Sequence, residues 1–144
     1  DETATTLYAR AARAHEQLIA RAWPKLVSGR CEFRKQDESR ATVWPGRKPE
    51  DGAIRHEMSC AEVDRLVRAV TRPYPGAFLE SGAARYRIWS GRAAPGEAWP
   101  AQASAVENGK EFVFRLRDGV FIASDWEWQE SLPPSAAATR AGAL

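Results

Sequence analysis

The sequence of 144 residues contains only two cysteines and two histidines, and none of the four is grouped with another. Cys31 and Cys60 have no short spacing to each other or to His15 and His56. The spacing therefore indicates neither a disulfide framework nor a zinc site, and we interpret the cysteines as buried thiols. The sequence also has no Gly-rich phosphate loop and no Cys or Ser beside a His, so no motif supports catalysis unaided.

Long apolar runs are missing as well. No run approaches the roughly 18 residues that a membrane span needs, and the beginning, Asp1-Glu2, lacks the basic-then-apolar form of a signal peptide. We therefore expect a soluble, cytoplasmic protein that does not enter a membrane. Because the sequence starts without Met and enters a helix-like pattern at once, we interpret it as a fragment of a longer protein.

The net charge of +2 is small, but it is unevenly distributed. Residues 1–48 carry ten basic and six acidic groups, residues 49–100 seven of each, and residues 101–144 four basic and six acidic groups. Only four of the 21 basic residues are Lys. Such an Arg bias would suit planar recognition of phosphates or carboxylates, although high-GC codon usage explains it equally well.

Apolar residues recur at helical spacing from Thr3 to about Val27 and predict an amphipathic helix. Gly29 is expected to end this helix, and Pro24 to kink its last turn. An apolar face of this length needs a surface to cover. The face is formed by Leu7, Tyr8, Ala11, Leu18, Ile19, Ala22, Trp23 and Leu26.

Residues 30–58 are polar, rich in Arg and interrupted by Pro and Gly, which predicts a connector with short extended pieces. One stretch of it is informative. Trp44 stands beside the basic pair Arg47-Lys48 on a loop that ends at Gly52. An exposed Trp next to paired cations could stack on and neutralise a phosphorylated ligand; the alternative is a solvated linker.

A second helix is predicted by the capping box Ser59-Cys-Ala-Glu62. Its apolar face consists of Val63, Leu66, Val67 and Val70. We expect the helix to end at about Thr71, because a proline follows two residues later and disfavours helical geometry in the residue before it.

The Pro-Tyr-Pro-Gly corner, residues 73–76, joins this helix to the second half of the sequence. Pro73 and Pro75 fix their own φ, so Gly76 is left as the only free joint. We predict that Pro73, Tyr74, Pro75, Gly76 and Phe78 act together as a structural motif. In the plainest interpretation the corner is rigid and places Tyr74 and Phe78 in the core.

After the corner the apolar period changes to two, which predicts about five short strands. Asn108-Gly109 and Asp118-Gly119 are hairpin signals between them. We therefore predict an α+β fold, in which an N-terminal helix and connector precede a small antiparallel OB-like barrel with one packed helix. Residues 131–144 are expected to be a disordered tail. The predicted strands are Ala77–Leu79, Arg85–Trp89, Gln102–Val106, Phe112–Leu116 and Val120–Trp128.

Several ordered motifs resemble the C-terminal region of the 10-formyltetrahydrofolate-dependent formyltransferases. That family includes methionyl-tRNA formyltransferase, sugar N-formyltransferases and the enzyme that formylates UDP-4-amino-4-deoxy-L-arabinose. The resemblance covers roughly residues 1–128. Its motifs are Ala41-Thr42, Lys48-Pro-Glu-Asp-Gly52, Leu66-Val-Arg-Ala-Val70, Arg72-Pro-Tyr-Pro-Gly-Ala-Phe78 and Arg87-Ile-Trp89.

The resemblance implies a division of the chain into four parts. Residues 1–29 would be the terminal helix of a catalytic domain that is missing here, residues 30–58 the connector, residues 59–130 the OB-like C-terminal domain and residues 131–144 the tail. The family's catalytic Asn-x-His pair and later Asp lie upstream of the matching helix, so no catalytic residue is assigned. The missing domain would bind 10-formyltetrahydrofolate, and this chain alone would bind none and be inactive.

The acceptor amine follows from charge and from the resemblance. A tRNA-binding barrel should be basic, whereas residues 101–144 carry a net charge of −2. We therefore predict a small amine, foremost that of a nucleotide-linked sugar, with Trp44, Arg47, Lys48 and Arg72 as candidate contacts. An amino-acid-derived amine, a tRNA acceptor and a stand-alone OB-like binding module remain open, as does self-association through the N-terminal helix.

Overall fold

The computed structural model describes residues 2–99 and 105–130. These residues form two α-helices, two short 3-10 turns and five β-strands. None of the described helices is long and apolar enough to cross a membrane. Residues 102–104 of the third predicted strand and the predicted tail lie outside the described residues. The elements are α1 Ala4–Val27, α2 Cys60–Val70, β1 Ala77–Ser81, β2 Ala84–Pro95, β3 Ala105–Asn108, β4 Glu111–Leu116 and β5 Gly119–Glu130, with the 3-10 turns at Glu38–Arg40 and Pro49–Gly52.

The strands form one antiparallel sheet in the order β1-β2-β5-β4-β3. β1 and β3 are its edges, so the hydrogen bonding of the described strands leaves the sheet open. β5 lies between β2 and β4, yet Tyr86 on β2 and Phe112 on β4 stack with ring centroids 4.0 Å apart. This contact across an intervening strand shows that the sheet is strongly curved. The predicted α+β class is confirmed, as are four of the predicted strands and residues 105–106 of the third. Both hairpin signals lie at turns between paired strands.

The core lies between the concave face of the sheet and α2. Three of the four residues predicted for the inner face of α2 are buried, and Leu66 is half-buried. The strand positions that alternate toward this face supply the aromatic and aliphatic partners. The core residues from the strands are Ala77, Leu79, Ile88, Phe112, Phe114, Leu116, Phe121 and Ala123.

Helix α2 is fixed at both ends. The predicted capping box is confirmed: Ser59 N donates to Glu62 Oε2 at 2.7 Å, and Glu62 N donates to Ser59 Oγ at 3.3 Å. A second carboxylate, that of Asp118 between β4 and β5, accepts from Cys60 N at 2.7 Å. At the other end the helix stops at Thr71, as predicted, and Thr71 Oγ1 donates to the carbonyl of Trp89 at 2.8 Å.

Helix α1 has the predicted length, and Gly29 just beyond it has a φ of +69°. It begins with a capping box, in which Thr6 N donates to Thr3 Oγ1 at 3.3 Å and Thr3 N donates to Thr6 Oγ1 at 2.9 Å. Its apolar face remains exposed along most of the helix; Leu18, Ile19 and Trp23 are each 62% exposed. The folded sheet thus covers the face of α2 but not that of α1.

Several side chains differ from their predicted environments. Tyr74 is 43% exposed and packs beside Tyr8 of α1, so its placement in the core was wrong. Phe78 is half-buried under the guanidinium of Arg85, whose Cζ lies 4.4 Å from the ring centroid. Cys60 is buried as predicted, whereas Cys31 is only half-buried; both thiols are free.

Candidate functional site

A groove forms where the connector meets the Pro-Tyr-Pro-Gly corner. Its volume is about 480 Å³, within the usual range for sites that bind small molecules. One wall comes from the loop around the second 3-10 turn, and the other from the end of α2 and the corner. The lining residues are Arg47, Lys48, Pro49, Asp51 and Gly52 on the first wall, and Ala69, Val70, Tyr74, Pro75 and Gly76 on the second.

Backbone pairing brings the connector to the corner. Ile54 N donates to the carbonyl of Phe78 at 2.7 Å, and Ala53 forms a parallel bridge with Phe78. Just before this pairing, a Cβ added to Gly52 would lie 3.1 Å from the carbonyl oxygen of Gly76. The floor of the groove is therefore a close approach of two backbones, which a side chain at residue 52 would force apart.

The loop and the corner are each braced by their own hydrogen bonds. The Asp51 carboxylate accepts from Lys48 N at 2.8 Å and holds the 3-10 turn. Within the corner, Gly76 N donates to the carbonyl of Val70 at 3.0 Å. From the sheet, Arg87 Nη1 donates to the carbonyl of Pro75 at 2.6 Å. The Arg72–Pro73 peptide bond is cis. Hydrogen bonds within the chain thus brace both walls.

The two walls differ in chemistry. Arg47 and Lys48 are exposed, and within the described residues neither side chain forms an ion pair. On the opposite wall the hydroxyl of Tyr74 lies 2.9 Å from that of Tyr8. This hydrogen bond raises the pKa of Tyr74 above its ordinary value. The groove therefore offers two free cations on one side and an aromatic and prolyl surface on the other, an arrangement that can hold an anion joined to an apolar or planar group.

The predicted contact residues separate into three environments. Arg47 and Lys48 line the groove, as do Tyr74, Pro75 and Gly76 of the predicted motif. Trp44 is 85% exposed and lines a neighbouring depression that shares Arg47 and Asp51 with the groove. Pro73 and Phe78 are not among the lining residues.

Arg72, the fourth candidate contact, is not among the residues that line the groove. Its guanidinium lies 4.3 Å from the ring centroid of Trp89 and forms an ion pair with Asp125 at 2.5 Å. The hydrogen bond to Asp125 raises the pKa of Arg72. A role for Arg72 in contacting substrate stays a prediction, while its observed contacts attach the corner to the outer face of the sheet.

Six residues of the site were not predicted as such from the sequence: the lining residues Pro49, Asp51, Gly52, Ala69 and Val70, and Tyr8, which contacts the lining residue Tyr74. Asp51 and Gly52 belong to the quoted Lys48-Pro-Glu-Asp-Gly52 motif, which could have suggested them. Tyr8 reaches the rim of the groove from α1, 66 residues before its partner Tyr74. No local pattern carries a signal for such a contact.

An open antiparallel sheet that carries one packed helix and a preformed groove at its entry defines a compact α+β domain. Residues 47–130 match the family model of the formyl transferase C-terminal domain. The match starts at Arg47, the first residue of the groove, and ends at the last residue of β5. The chain belongs to the formyl transferase C-terminal domain family, and it represents the C-terminal part of a formyltransferase.

Proposed function

We propose that the parent enzyme transfers a formyl group from 10-formyltetrahydrofolate to a small amine, foremost that of a nucleotide-linked sugar, and that the groove of this chain holds the phosphate-bearing end of the substrate. One observation carries the proposal. Two cations of the groove, Arg47 and Lys48, form no ion pair within the described residues and lie opposite the rigid corner, and both belong to the part of the chain that matches the family.

The groove suits a phosphorylated small molecule for two reasons. An Arg guanidinium can bind phosphate oxygens in a bidentate manner, and a neighbouring Lys adds a point charge. Tyr74 and Pro75 supply the apolar surface on which a sugar or a base can rest. The residues on both walls are held by backbone hydrogen bonds, which lowers the ordering cost of binding.

The sheet supports a small acceptor over tRNA. Binding of an RNA backbone depends on many cationic contacts. Within residues 105–130 there are three basic groups, at residues 110, 115 and 117, against six acidic groups, at residues 107, 111, 118, 125, 127 and 130. The excess of cations lies instead in α1 and the connector. A polyanion would have to bind there and avoid the sheet.

The groove lacks the groups that formyl transfer needs. Its ionisable side chains are Arg47, Lys48, Asp51 and Tyr74. Asp51 is engaged by the backbone of the turn and Tyr74 by Tyr8, so no carboxylate or hydroxyl is poised to move a proton. We therefore derive no step of formyl transfer in this chain, and we assign the donor and the catalytic groups to a preceding domain.

Helix α1 supports the existence of that domain. Its apolar face is long and exposed, and isolated faces of this kind are usually covered by a partner. We propose that α1 is the last helix of the catalytic domain and that its apolar face packs against that domain. Reading the gene upstream of Asp1 tests this directly: a frame that encodes an Asn-x-His pair supports the proposal, and a start codon at Asp1 contradicts it.

Calorimetric binding of UDP, dTDP and initiator tRNA to the 144-residue chain tests the groove. Charge-assisted hydrogen bonds contribute about 1.5–3 kcal/mol each, so the double variant R47A/K48A should weaken UDP binding by at least about tenfold. The matched control is R34A/K35A, which removes the same charges from a part of the connector that does not line the groove. The control should bind UDP like the wild type.

Preferential binding of tRNA would contradict the proposal. A chain that binds tRNA more tightly than UDP, with a steep dependence on salt and equal losses in both double variants, would favour the tRNA acceptor. The full-length enzyme with labelled formyl donor then decides between initiator tRNA, nucleotide-linked amino sugars and hydroxyornithine. Transfer to tRNA alone would overturn the proposal.

A further inference from the structure

Helix α1 is attached to the rest of the chain through its first turns, and this attachment reaches the groove. Thr5 Oγ1 donates to the carbonyl of Arg72, and Arg68 Nη1 donates to the carbonyl of Glu2 at 2.9 Å. Ala4, between them, is the only buried residue of α1. The third contact is the hydrogen bond between the hydroxyls of Tyr8 and Tyr74.

The backbone of Tyr74 is fixed, but the direction of its side chain is not. Its backbone is held between two prolines, so the torsions of the ring decide how far the wall extends. The ring is 43% exposed. It packs beside the ring of Tyr8, with centroids 6.0 Å apart, and its hydroxyl is bonded to that of Tyr8 at 2.9 Å. Tyr8 is thus the neighbour that restricts the ring.

We propose that Tyr8 is a positioning residue for the groove: it holds the ring of Tyr74 at the rim, so that a ligand in the groove and the attachment of α1 stabilise each other. The ligand in this statement rests on the proposed function. Because coupling between two sites is reciprocal, occupancy of the groove must strengthen the attachment of α1 by the same factor by which the attachment strengthens binding.

The first test uses UDP as the probe and the 144-residue chain as the protein. Y8F removes one hydroxyl and keeps the ring, so it should weaken UDP binding by about threefold to tenfold, the usual effect of one hydrogen bond. Y86F is the matched control, because it removes a hydroxyl bonded to Glu107 Oε1 at 3.1 Å and does not line the groove. A loss of UDP affinity in Y8F with an unchanged urea midpoint separates positioning from general destabilisation.

A double-mutant cycle shows whether the two hydroxyls act as a unit. Y74F should cost as much affinity as Y8F, and the double variant Y8F/Y74F no more than either alone. Additive losses in the double variant would overturn the inference, because the two side chains would then contribute independently. Wild-type affinity in Y8F would overturn it as well.

Hydrogen exchange supplies the reciprocal measurement. The amide of Leu7 donates to the carbonyl of Thr3 at 2.9 Å and reports on the first turn of α1. UDP should slow exchange at Leu7 in the wild type and in Y86F, but not in Y8F. If the wild type does not bind UDP, the proposed function and the ligand coupling both fail. Even in that case, faster exchange at Leu7 in ligand-free Y8F than in ligand-free Y86F would support the contact of Tyr8 with Tyr74 as a positioning contact. Equal rates in the two variants would reject the positioning role as well.

Discussion

The two helices of this chain are both amphipathic, yet only α2 buries its apolar face. α2 has 11 residues and buries four of them, whereas α1 has 24 residues and buries one. Helices gain most of their stability from packing an apolar face, rather than from intrinsic propensity. An apolar stripe therefore indicates that a helix packs one face against another surface. Whether the same chain provides that surface depends on its other elements. Here the sheet has one concave face, and among the described elements α2 alone covers it.

The attachments of the two helices differ in the same way. α2 is attached to the sheet region at both ends: Cys60 N donates to Asp118 in the β4–β5 turn, and Thr71, just beyond the last helical residue, donates to the carbonyl of Trp89. Among the described residues, the hydrogen bonds that join α1 to α2 and the corner lie in its first turns, and its later residues Leu18 and Trp23 remain exposed. This comparison leads to three predictions, which begin with the largest effect.

The first prediction contrasts one aromatic residue of the core with one of α1. Phe121 is completely buried in the sheet, and Trp23 is 62% exposed on α1. F121A should lower the free energy of unfolding by about 3–5 kcal/mol, because it leaves a cavity in a packed core. W23A should change it by less than about 0.5 kcal/mol, as is usual for exposed positions. Urea denaturation followed by near-UV circular dichroism measures both.

A large loss in the free energy of unfolding of W23A would contradict the difference between the two helices. It would mean that the apolar face of α1 is covered in solution, and a second copy of the chain would be the candidate. Sedimentation of the wild type and W23A at equal concentrations then decides whether the covered face is an interface between copies. A monomeric wild type together with a strongly destabilised W23A would contradict the open position of α1.

The second prediction concerns the corner that joins α2 to the sheet. Gly76 and Gly82 both have positive φ, at +84° and +62°. A Cβ on Gly76 would lie 3.0 Å from the carbonyl oxygen of Ile88, whereas a Cβ on Gly82 would have nothing within 4 Å. G82A should cost about 1–2 kcal/mol from the backbone alone. G76A should cost roughly 1–3 kcal/mol more, because the backbone of β2 cannot yield easily.

Thermal or urea unfolding of both variants gives the difference, and UDP binding gives a second readout. G76A should also weaken UDP binding, since the lining residue Gly76 moves with the corner, whereas G82A should leave binding unchanged. Equal destabilisation by the two variants would show that the contact with β2 is not restrictive.

Much of the fold could be predicted from the sequence because its signals are local. The capping box at Ser59 and Glu62, the stop at Thr71 and the alternation in the strands are patterns within a few residues of each other. The motif that begins at Lys48 also pointed to the groove, since it places cations before a turn. These features depend on backbone geometry that the residues nearest in sequence dictate.

The remainder depended on contacts between distant segments. Tyr74 looked like a core aromatic residue because it stands in a rigid corner between prolines, but its ring packs beside Tyr8, on a helix 66 residues earlier. Arg72 looked like a free cation, but Trp89 and Asp125 from two different strands engage it. Periodicity predicts which face of an element is apolar, and it does not predict which side chain of another element will meet it.

The third prediction returns to the helices and concerns acid. The cap of α1 consists of the hydroxyls of Thr3 and Thr6, which do not titrate, while the start of α2 depends on two carboxylates. Hydrogen bonds from Ser59 lower the pKa of Glu62, and the backbone N–H of Cys60 lowers the pKa of Asp118. A carboxyl with a depressed pKa in the folded state stabilises the fold fully above its unfolded pKa, about 4, and loses that contribution as the pH falls through the folded value.

Acid should therefore open the first turn of α2 before it affects the cap of α1. The effect is the smallest of the three, because both carboxylates are exposed to solvent. Between pH 6 and pH 2.5, amide exchange at Val63, whose N–H donates to the carbonyl of Ser59 at 3.0 Å, should gain rate relative to Leu7 of α1 after correction for intrinsic exchange. E62Q and D118N keep an oxygen acceptor at each position but remove its titration, so both should flatten the acid dependence of the unfolding midpoint. If Val63 and Leu7 lose protection in parallel, and neither variant flattens the curve, the two helix starts do not differ in the way that their caps imply.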